Sequence, residues 1–216
     1  MNKRFAIFDM DGTLVDSMAY WRQLGEEYLR AKGVTGELEP VLQQTKPMTM
    51  LESAALFIRE FGLSGTPETI AAEMDGVMDE HYKNDVPLKP GVREYLDRLH
   101  RRGVRMCVAS ATPEPLIRVC LTRLGVAEDF QFLLSCDAVG KGKNSPDVFL
   151  EAARRLGAEP GETAVFEDAL YAAETARAAG FYTVGVYDSG GARHWDRMSQ
   201  VADELIPDWA EAATML

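Results

Sequence analysis

Short apolar runs alternate with helical patterns along most of this chain, and these helical patterns stop at glycine. Apolar runs that predict strands cover residues 3–9, 104–109, 130–135, 163–166 and 182–187. Helical patterns that end at a glycine, the residue that most readily closes a helix in the left-handed conformation, cover residues 92–102, 114–124, 146–156 and 169–179. Strands that alternate with helices of this length form parallel sheets, so the sequence predicts an α/β fold.

The segment between the first two predicted strands has a different pattern. Residues 18–86 contain no good strand. They show helical patterns instead, at 20–32, 50–61 and 68–82. The proline-rich stretch at 85–91 then reads as a return linker. We therefore expect a core of residues 1–16 and 87–216, with a helical domain of residues 17–86 inserted after the first strand.

The charge and composition of the chain exclude several classes of partner. With 34 acidic and 23 basic side chains the formal net charge is -11, which argues against nucleic acid and an anionic membrane surface. A small phosphorylated substrate stays compatible, because a few local cations can outweigh the overall field. The three cysteines lack metal-ligand spacing, no apolar run is long enough to span a membrane, and the first run is too short for a signal peptide. We expect a cytoplasmic protein with reduced thiols and no membrane contact.

Two aspartates end the first apolar run, in the segment FDMDGTLVDS. Asp9 and Asp11 are two residues apart, so on a strand both side chains point to the same face. Carboxylates about 4 Å apart repel by about 4 kcal/mol at an effective dielectric constant of about 20. D-G-T is also common turn chemistry, but this repulsion favours a site that places a cation or a proton between the two carboxylates.

Polar side chains also follow the later predicted strands, at the edge where ligands bind in an open parallel sheet. Carboxylates can hold a divalent cation, a lysine can neutralise a phosphate, and hydroxyls can bind its oxygens, so this set suits phosphoryl transfer. The polar residues at these positions are Ser110, Thr112, Lys141, Lys143, Glu167 and Asp168.

Several of these residues also have a purely structural interpretation. Thr112 is expected to cap the helix that begins at Pro113, whereas Ser110, nearer the strand end, is expected to contact phosphate. Glu167 and Asp168 could form a helix start capped by Asp168, but a carboxylate pair directly after an apolar strand favours metal binding.

The two lysines could be solvated surface charges, the usual environment of lysine. Ser145 as N-cap and Pro146 as first helical residue would place Lys143 beside the positive end of a helix, a natural anion site. This placement favours Lys143 as a phosphate ligand.

These segments resemble the four motifs of the haloacid dehalogenase superfamily, in its phosphatase branch with a helical cap. FDMDGTLVDS matches the first motif D-x-D-G-T, and VASAT resembles the second. The third, K-P-x-P-D, appears as KNSPD from Lys143, with asparagine for proline. The fourth, E-D-[ST]-x-x-G, appears as EDALYA from Glu167, with both carboxylates present and alanine at two motif positions. The resemblance covers the whole chain and implies a Rossmann-like parallel sheet core with a small α-helical cap inserted after the first strand.

The resemblance also implies a role for each site residue. Asp9 would be the nucleophile that forms an aspartyl-phosphate, and Asp11 would be the general acid and base. Mg²⁺ would bind Asp9, the main-chain carbonyl of Asp11, Asp168 and, directly or through water, Glu167. The residues implied to hold the phosphoryl group are Gly12, Ser110, Ala111 and Lys143.

The expected reaction is Mg²⁺-dependent hydrolysis of a small phosphorylated metabolite, namely a sugar phosphate, phosphoglycolate or a nucleotide. A phosphomutase resembling β-phosphoglucomutase is the closest alternative, and a non-catalytic phosphate-binding protein is another. The resemblance implies a histidine ten residues beyond Asp11 in the mutases, whereas this chain has Trp21, which favours the phosphatase. Tyr20, Trp21 and Lys46 are candidate specificity residues of the cap, with packing for the aromatic residues and solvent for the lysine as the alternative. We expect a monomer or a weak dimer.

Overall fold

The computed structural model describes residues 2–45 and 48–215 of the chain. The chain divides into two compact units, one formed by Met1–Met18 with Val86–Leu216 and the other by Ala19–Asp85. The first unit contains the described strands, and the second is helical.

The first unit is built on a six-stranded parallel sheet. Its strands in chain order are β1 (Phe5–Phe8), β2 (Arg105–Ser110), β3 (Leu133–Ser135), β4 (Thr163–Glu167), β5 (Tyr182–Val186) and β6 (Glu204–Ile206). Across the sheet they follow the order β3-β2-β1-β4-β5-β6, so β1 lies in the interior between β2 and β4. The predicted Rossmann-like α/β fold is confirmed.

Helices make up the second unit and flank the sheet in the first. The helices of the second unit are α1 (Met18–Ala31), α2 (Glu39–Thr45), α3 (Met50–Phe61) and α4 (Pro67–Asn84). Those of the first unit are α5 (Val92–Arg101), α6 (Glu114–Arg123), α7 (Asp147–Leu156), α8 (Leu170–Ala178), α9 (Trp195–Val201) and α10 (Trp209–Met215). Within residues 2–45 and 48–215, no helix combines the length and hydrophobicity that a membrane span requires.

Burial of the central strands explains why they read as unbroken apolar runs rather than alternating ones. All four residues of β1 are buried, and the ring of Phe8 stacks on that of Phe166 in β4 with centroids 4.2 Å apart. Trp209 of α10 stacks on Phe166 in turn, with centroids 5.9 Å apart. Asp9 therefore follows a strand whose position is fixed by packing and by a hydrogen-bonded neighbour on each side.

Four short elements were not predicted from the sequence. The helices α2, α9 and α10 have seven residues each, and β6 has three. Hydrophobic periodicity is recognised over windows of about 11 residues or more, so elements of this length give no clear signal. The prediction of five strands was therefore one short of the six that the described residues form.

The caps of two helices also differ from the prediction. Helix α6 begins at Glu114 and α7 at Asp147, each with a proline at the N-cap position and no side-chain cap. The prediction that Ser145 caps α7 was wrong, because Pro146 occupies the N-cap position. The Ser145 hydroxyl donates to the carboxylate of Asp147 in the first turn of the helix.

Candidate active site

Strand β1 delivers Asp9 to the carboxyl end of the sheet. The N–H of Asp9 donates to the carbonyl oxygen of Phe166 at 3.0 Å, which continues the pairing of β1 with β4. The residue is only 6% exposed. Burial raises the pKa of the Asp9 carboxyl; Lys143 opposes this rise and the neighbouring charge of Asp11 adds to it.

Lys143 is a buried cation at the centre of the site, and its side chain is 4% exposed. Its Nζ contacts Oδ1 of Asp9 and lies 2.6 Å from Oε1 of Glu167. Burial lowers the pKa of Lys143, but these two carboxylates outweigh it and raise the pKa. Lys141 is the solvated lysine of the pair, since its side chain is 56% exposed and lies 2.9 Å from Asp147.

Three carboxylates converge beside Lys143. Asp9, Glu167 and Asp168 each offer an oxygen, and these oxygens lie within 4.8 Å of one another. Burial raises the pKa of Glu167 well above its usual value. Burial also raises the pKa of Asp168 to about 7, with further contributions from Asp9 and Asp188. All-oxygen carboxylate sets of this kind suit hard divalent cations such as Mg²⁺.

Asp11 has a different environment, in which both carboxylate oxygens accept a hydrogen bond from a hydroxyl. Ser17 donates to Oδ1 and Thr112 donates to Oδ2, each at 2.7 Å. The prediction that Thr112 caps α6 was wrong, since Pro113 occupies the N-cap position and the helix has no side-chain cap. The carboxylate of Asp11 is not part of the three-carboxylate cluster.

The end of β2 supplies the remaining predicted phosphate ligands. Ser110 is 1% exposed, and its Oγ accepts a hydrogen bond from the N–H of Thr112 at 3.1 Å. A hydroxyl that accepts one hydrogen bond still has its own proton to donate. Ala111, the next residue, is exposed at the strand end.

Gly12 brings the main chain close to Asp168. Its φ is +76°, and a Cβ at this position would lie 2.4 Å from Oδ2 of Asp168. Its N–H donates to the carbonyl oxygen of Val15 at 3.0 Å, so this amide is already used within the loop. The structure therefore gives Gly12 a conformational role, and a phosphate contact through its N–H would have to share that donor.

We expect Gly12→Ala to reduce kcat by about 100-fold, because a Cβ would displace a site carboxylate by a sizeable fraction of an ångström. Gly103→Ala is the matched control, since Gly103 has a φ of +73° and nothing lies within 4 Å of its Cβ position. Both variants should lose about 1 to 2 kcal/mol of stability from the left-handed backbone. Kinetics and urea unfolding measure the two effects, and equal kcat values for the two variants would contradict the steric explanation.

The loop after β1 is also held by residues far away in the chain. Thr13 donates from Oγ1 to Oδ1 of Asp168 at 3.3 Å, and its carbonyl oxygen accepts from Nε1 of Trp209 at 3.0 Å. The carbonyl oxygen of Leu14 accepts from the N–H of Lys89 at 2.9 Å. No role was predicted for Thr13 or Ser17, although both lie in the segment FDMDGTLVDS.

The candidate specificity residues belong to the helical unit. The ring of Tyr20 lies against that of His81, with centroids 4.7 Å apart. Nε1 of Trp21 donates to the hydroxyl of Tyr82 at 3.2 Å. Both contacts agree with the alternative interpretation, in which the two aromatic residues pack within the helical unit. A role of these residues in substrate specificity remains a prediction. Lys46 lies outside the described residues.

Comparison with known proteins gives the family. Residues 4–180 match the model of the haloacid dehalogenase-like hydrolases. The chain belongs to this family. The predicted resemblance is confirmed, and the protein is an enzyme of the haloacid dehalogenase-like phosphatase and phosphomutase group.

Individual haloacid dehalogenase-like relatives include both phosphatases and mutases. The chain is 29% identical to the fructose-1-phosphate phosphatase YqaB of Escherichia coli, over 86% of this chain and 98% of that protein. It is 28% identical to the β-phosphoglucomutase of Bacillus subtilis, over 83% and 81% of the two chains. Among solved structures, CbbY from Rhodobacter sphaeroides in complex with phosphate has a TM-score of 0.74 and 25% identity, over 99% of this chain and 100% of that one.

Proposed function

We propose that this protein is a Mg²⁺-dependent phosphomonoesterase that hydrolyses a small phosphorylated metabolite through an aspartyl-phosphate on Asp9. The observation that carries this proposal is the contrast between the two aspartates of the first motif. Asp9 is buried against a lysine and two further carboxylates, whereas both oxygens of Asp11 accept from hydroxyls. Two carboxylates in such different environments can take different roles in one reaction.

The charge balance of the site supports a divalent cation. Asp9, Glu167 and Asp168 carry three negative charges when ionised, and Lys143 neutralises one of them. The remaining charge matches one Mg²⁺, for which carboxylate oxygens are the preferred protein ligands. When bound, Mg²⁺ supplies positive charge for the phosphoryl oxygens and for the Asp9 carboxylate. The main-chain carbonyl of Asp11 is the proposed fourth protein ligand.

The residues of the chain can carry out both half-reactions. A carboxylate oxygen of Asp9 attacks phosphorus, and the leaving alkoxide takes a proton from Asp11 as its bond to phosphorus breaks. Asp11 then removes a proton from water, which attacks the same phosphorus and breaks the bond to Asp9, releasing inorganic phosphate. Ser17 and Thr112 orient Asp11 throughout by their hydrogen bonds.

The proposed phosphate ligands are the Ser110 hydroxyl, the main chain at Ala111 and the Lys143 ammonium. Lys143 contacts Asp9 directly, so it lies where negative charge would collect during attack. The resemblance to a fructose-1-phosphate phosphatase supports a sugar phosphate as the substrate class. Phosphoglycolate and nucleotides belong in the same test.

A phosphate-release screen tests the proposed function. Purified protein with Mg²⁺ is incubated with p-nitrophenyl phosphate and a panel of sugar phosphates, phosphoglycolate and nucleotides. We expect turnover that EDTA abolishes and that added Mg²⁺ restores. Release that is insensitive to EDTA would contradict the metal requirement, and no release across the whole panel would contradict the function.

A phosphomutase is the second candidate, because one relative is a β-phosphoglucomutase. Trp21 argues against a mutase, because it occupies the position at which the family resemblance implies a histidine in the mutases. An indole N–H can donate a hydrogen bond but cannot take up and return a proton, and Nε1 of Trp21 donates to Tyr82. Incubation with β-glucose 1-phosphate separates the two functions: a phosphatase releases phosphate, whereas a mutase yields glucose 6-phosphate without it.

A further inference from the structure

A buried ion pair lies beside the candidate metal site without belonging to it. Nζ of Lys89 is 2.9 Å from Oδ2 of Asp188, and the two side chains are 11% and 2% exposed. Burying two charges has a large desolvation cost, and apolar residues at such positions are often at least as stabilising. No role was predicted for either residue, and the cost of burying both charges calls for an explanation beyond stability.

Both partners are held by the main chain around the site. Asp188 follows β5, and its Oδ1 accepts from the N–H of Gly190 at 2.6 Å, which fixes the carboxylate in a turn. Lys89 also donates from Nζ to the carbonyl oxygen of Tyr187 at 2.8 Å. Its own N–H donates to Leu14, three residues after Asp11. The ion pair therefore has a fixed position relative to the loop that carries Asp11.

Asp188 lies next to Asp168, one of the three clustered carboxylates. Both residues line a single small crevice with Gly191, and a Cβ on Gly191 would lie 3.4 Å from the Asp168 carbonyl oxygen. Lys89 contacts Asp188 directly, so both charges of the pair lie close to a candidate metal ligand.

Asp188 is not one of the candidate ligands. The described carboxylates that converge within ligand distance are Asp9, Glu167 and Asp168. Any effect of Asp188 on a bound cation must therefore pass through space or through Asp168. Outer residues of this kind commonly change metal affinity by about 10-fold to 100-fold.

We propose that Asp188 and Lys89 are positioning residues that set the Mg²⁺ affinity of the three-carboxylate site, with Asp188 strengthening binding and Lys89 restraining it. This inference rests on the proposed function, because it requires a Mg²⁺ site at Asp9, Glu167 and Asp168. It assigns opposite effects to two residues in direct contact, which a merely structural ion pair would not produce.

Titration of Mg²⁺ into substrate-free protein by calorimetry tests the inference without using activity. The four proteins are the wild type, Asp188→Asn, Lys89→Gln and the double variant. Asp188→Asn keeps the shape of the side chain, and Lys89→Gln removes the charge but shortens the side chain. We expect Asp188→Asn to bind Mg²⁺ about 10-fold more weakly. We expect Lys89→Gln to bind it severalfold more tightly, and the double variant to lie close to the wild type because the pair is again neutral.

Unfolding in EDTA separates folding from metal affinity. Each single variant leaves a buried charge without its partner, so both should be less stable than the wild type and the double variant. Equal weakening of Mg²⁺ binding in both single variants, or no weakening in Asp188→Asn, would overturn the inference. Should Lys89→Gln fail to fold, the comparison of Asp188→Asn with the double variant decides, since affinity must recover when Lys89 is also neutral.

The outcome for the wild type distinguishes this inference from the proposed function. If the wild type shows Mg²⁺-dependent hydrolysis and binding but the variants do not diverge, only the role of the ion pair fails. If the wild type binds no Mg²⁺, the metal requirement of the proposed function fails, and the inference fails with it.

Discussion

Asp9→Asn is expected to lower kcat for phosphate release by at least about 10⁴-fold, because removal of an enzymatic nucleophile has effects of this order. An amide oxygen cannot form the aspartyl-phosphate, although asparagine keeps the shape of the side chain and an acceptor for Lys143. Lys143 keeps Glu167 as a charged partner in this variant, so we expect a smaller loss of stability in the metal-free protein than on removal of Lys143. Steady-state kinetics and urea unfolding in EDTA give the two quantities.

Asp137→Asn is the matched control for this change. Asp137 lies just after β3, at the same edge of the sheet, but it is exposed. We expect this variant to keep wild-type kcat. Turnover by Asp9→Asn at the level of the control would show that Asp9 is not the nucleophile.

Lys143→Met is expected to destabilise the metal-free protein by about 3 to 5 kcal/mol, the usual result of leaving a buried charge without its partner. Lys143 is the cation that contacts both Asp9 and Glu167, and all three side chains are almost fully buried. Urea unfolding in EDTA measures the loss. Added Mg²⁺ should restore part of the stability, because a bound cation replaces part of the missing positive charge. We also expect kcat to fall, since the phosphoryl group loses a ligand.

The neighbouring lysine supplies the control. Lys141 pairs with Asp147 on the surface, and its side chain is 56% exposed. Exposed ion pairs contribute about 0 to 1 kcal/mol, so Lys141→Met should be close to the wild type in stability and in kcat. Similar losses in the two lysine variants would contradict the central position assigned to Lys143.

The residues that the sequence placed at strand ends meet in the structure because parallel strands end at one edge of a sheet. Asp9, Lys143 and Glu167 are in contact although they come from separate segments. This convergence could be predicted because β1, β2 and β4 are buried strands, which appear in the sequence as short apolar runs whose ends can be located. The short edge strand β6 gave no such signal.

Contacts between distant residues were beyond local pattern. Thr112 looked like a helix cap because the only nearby partners in sequence are the N–H groups of α6. In the structure its hydroxyl donates to Asp11, which is 101 residues away and could not be identified from the neighbouring sequence. The pairing of Lys89 with Asp188 could not be predicted either, because lysine and aspartate are usually exposed and the two residues meet only in the folded structure.

The hydrogen bond from Trp209 to Thr13 has a consequence for the synthesis of the protein. It joins residues 196 positions apart, so the loop that carries Asp11 is fastened by a helix that is synthesised long after it. During synthesis the first motif is present long before Trp209 can form the hydrogen bond that holds its loop. The first motif should therefore reach its final position only after α10 has been made and has packed against it.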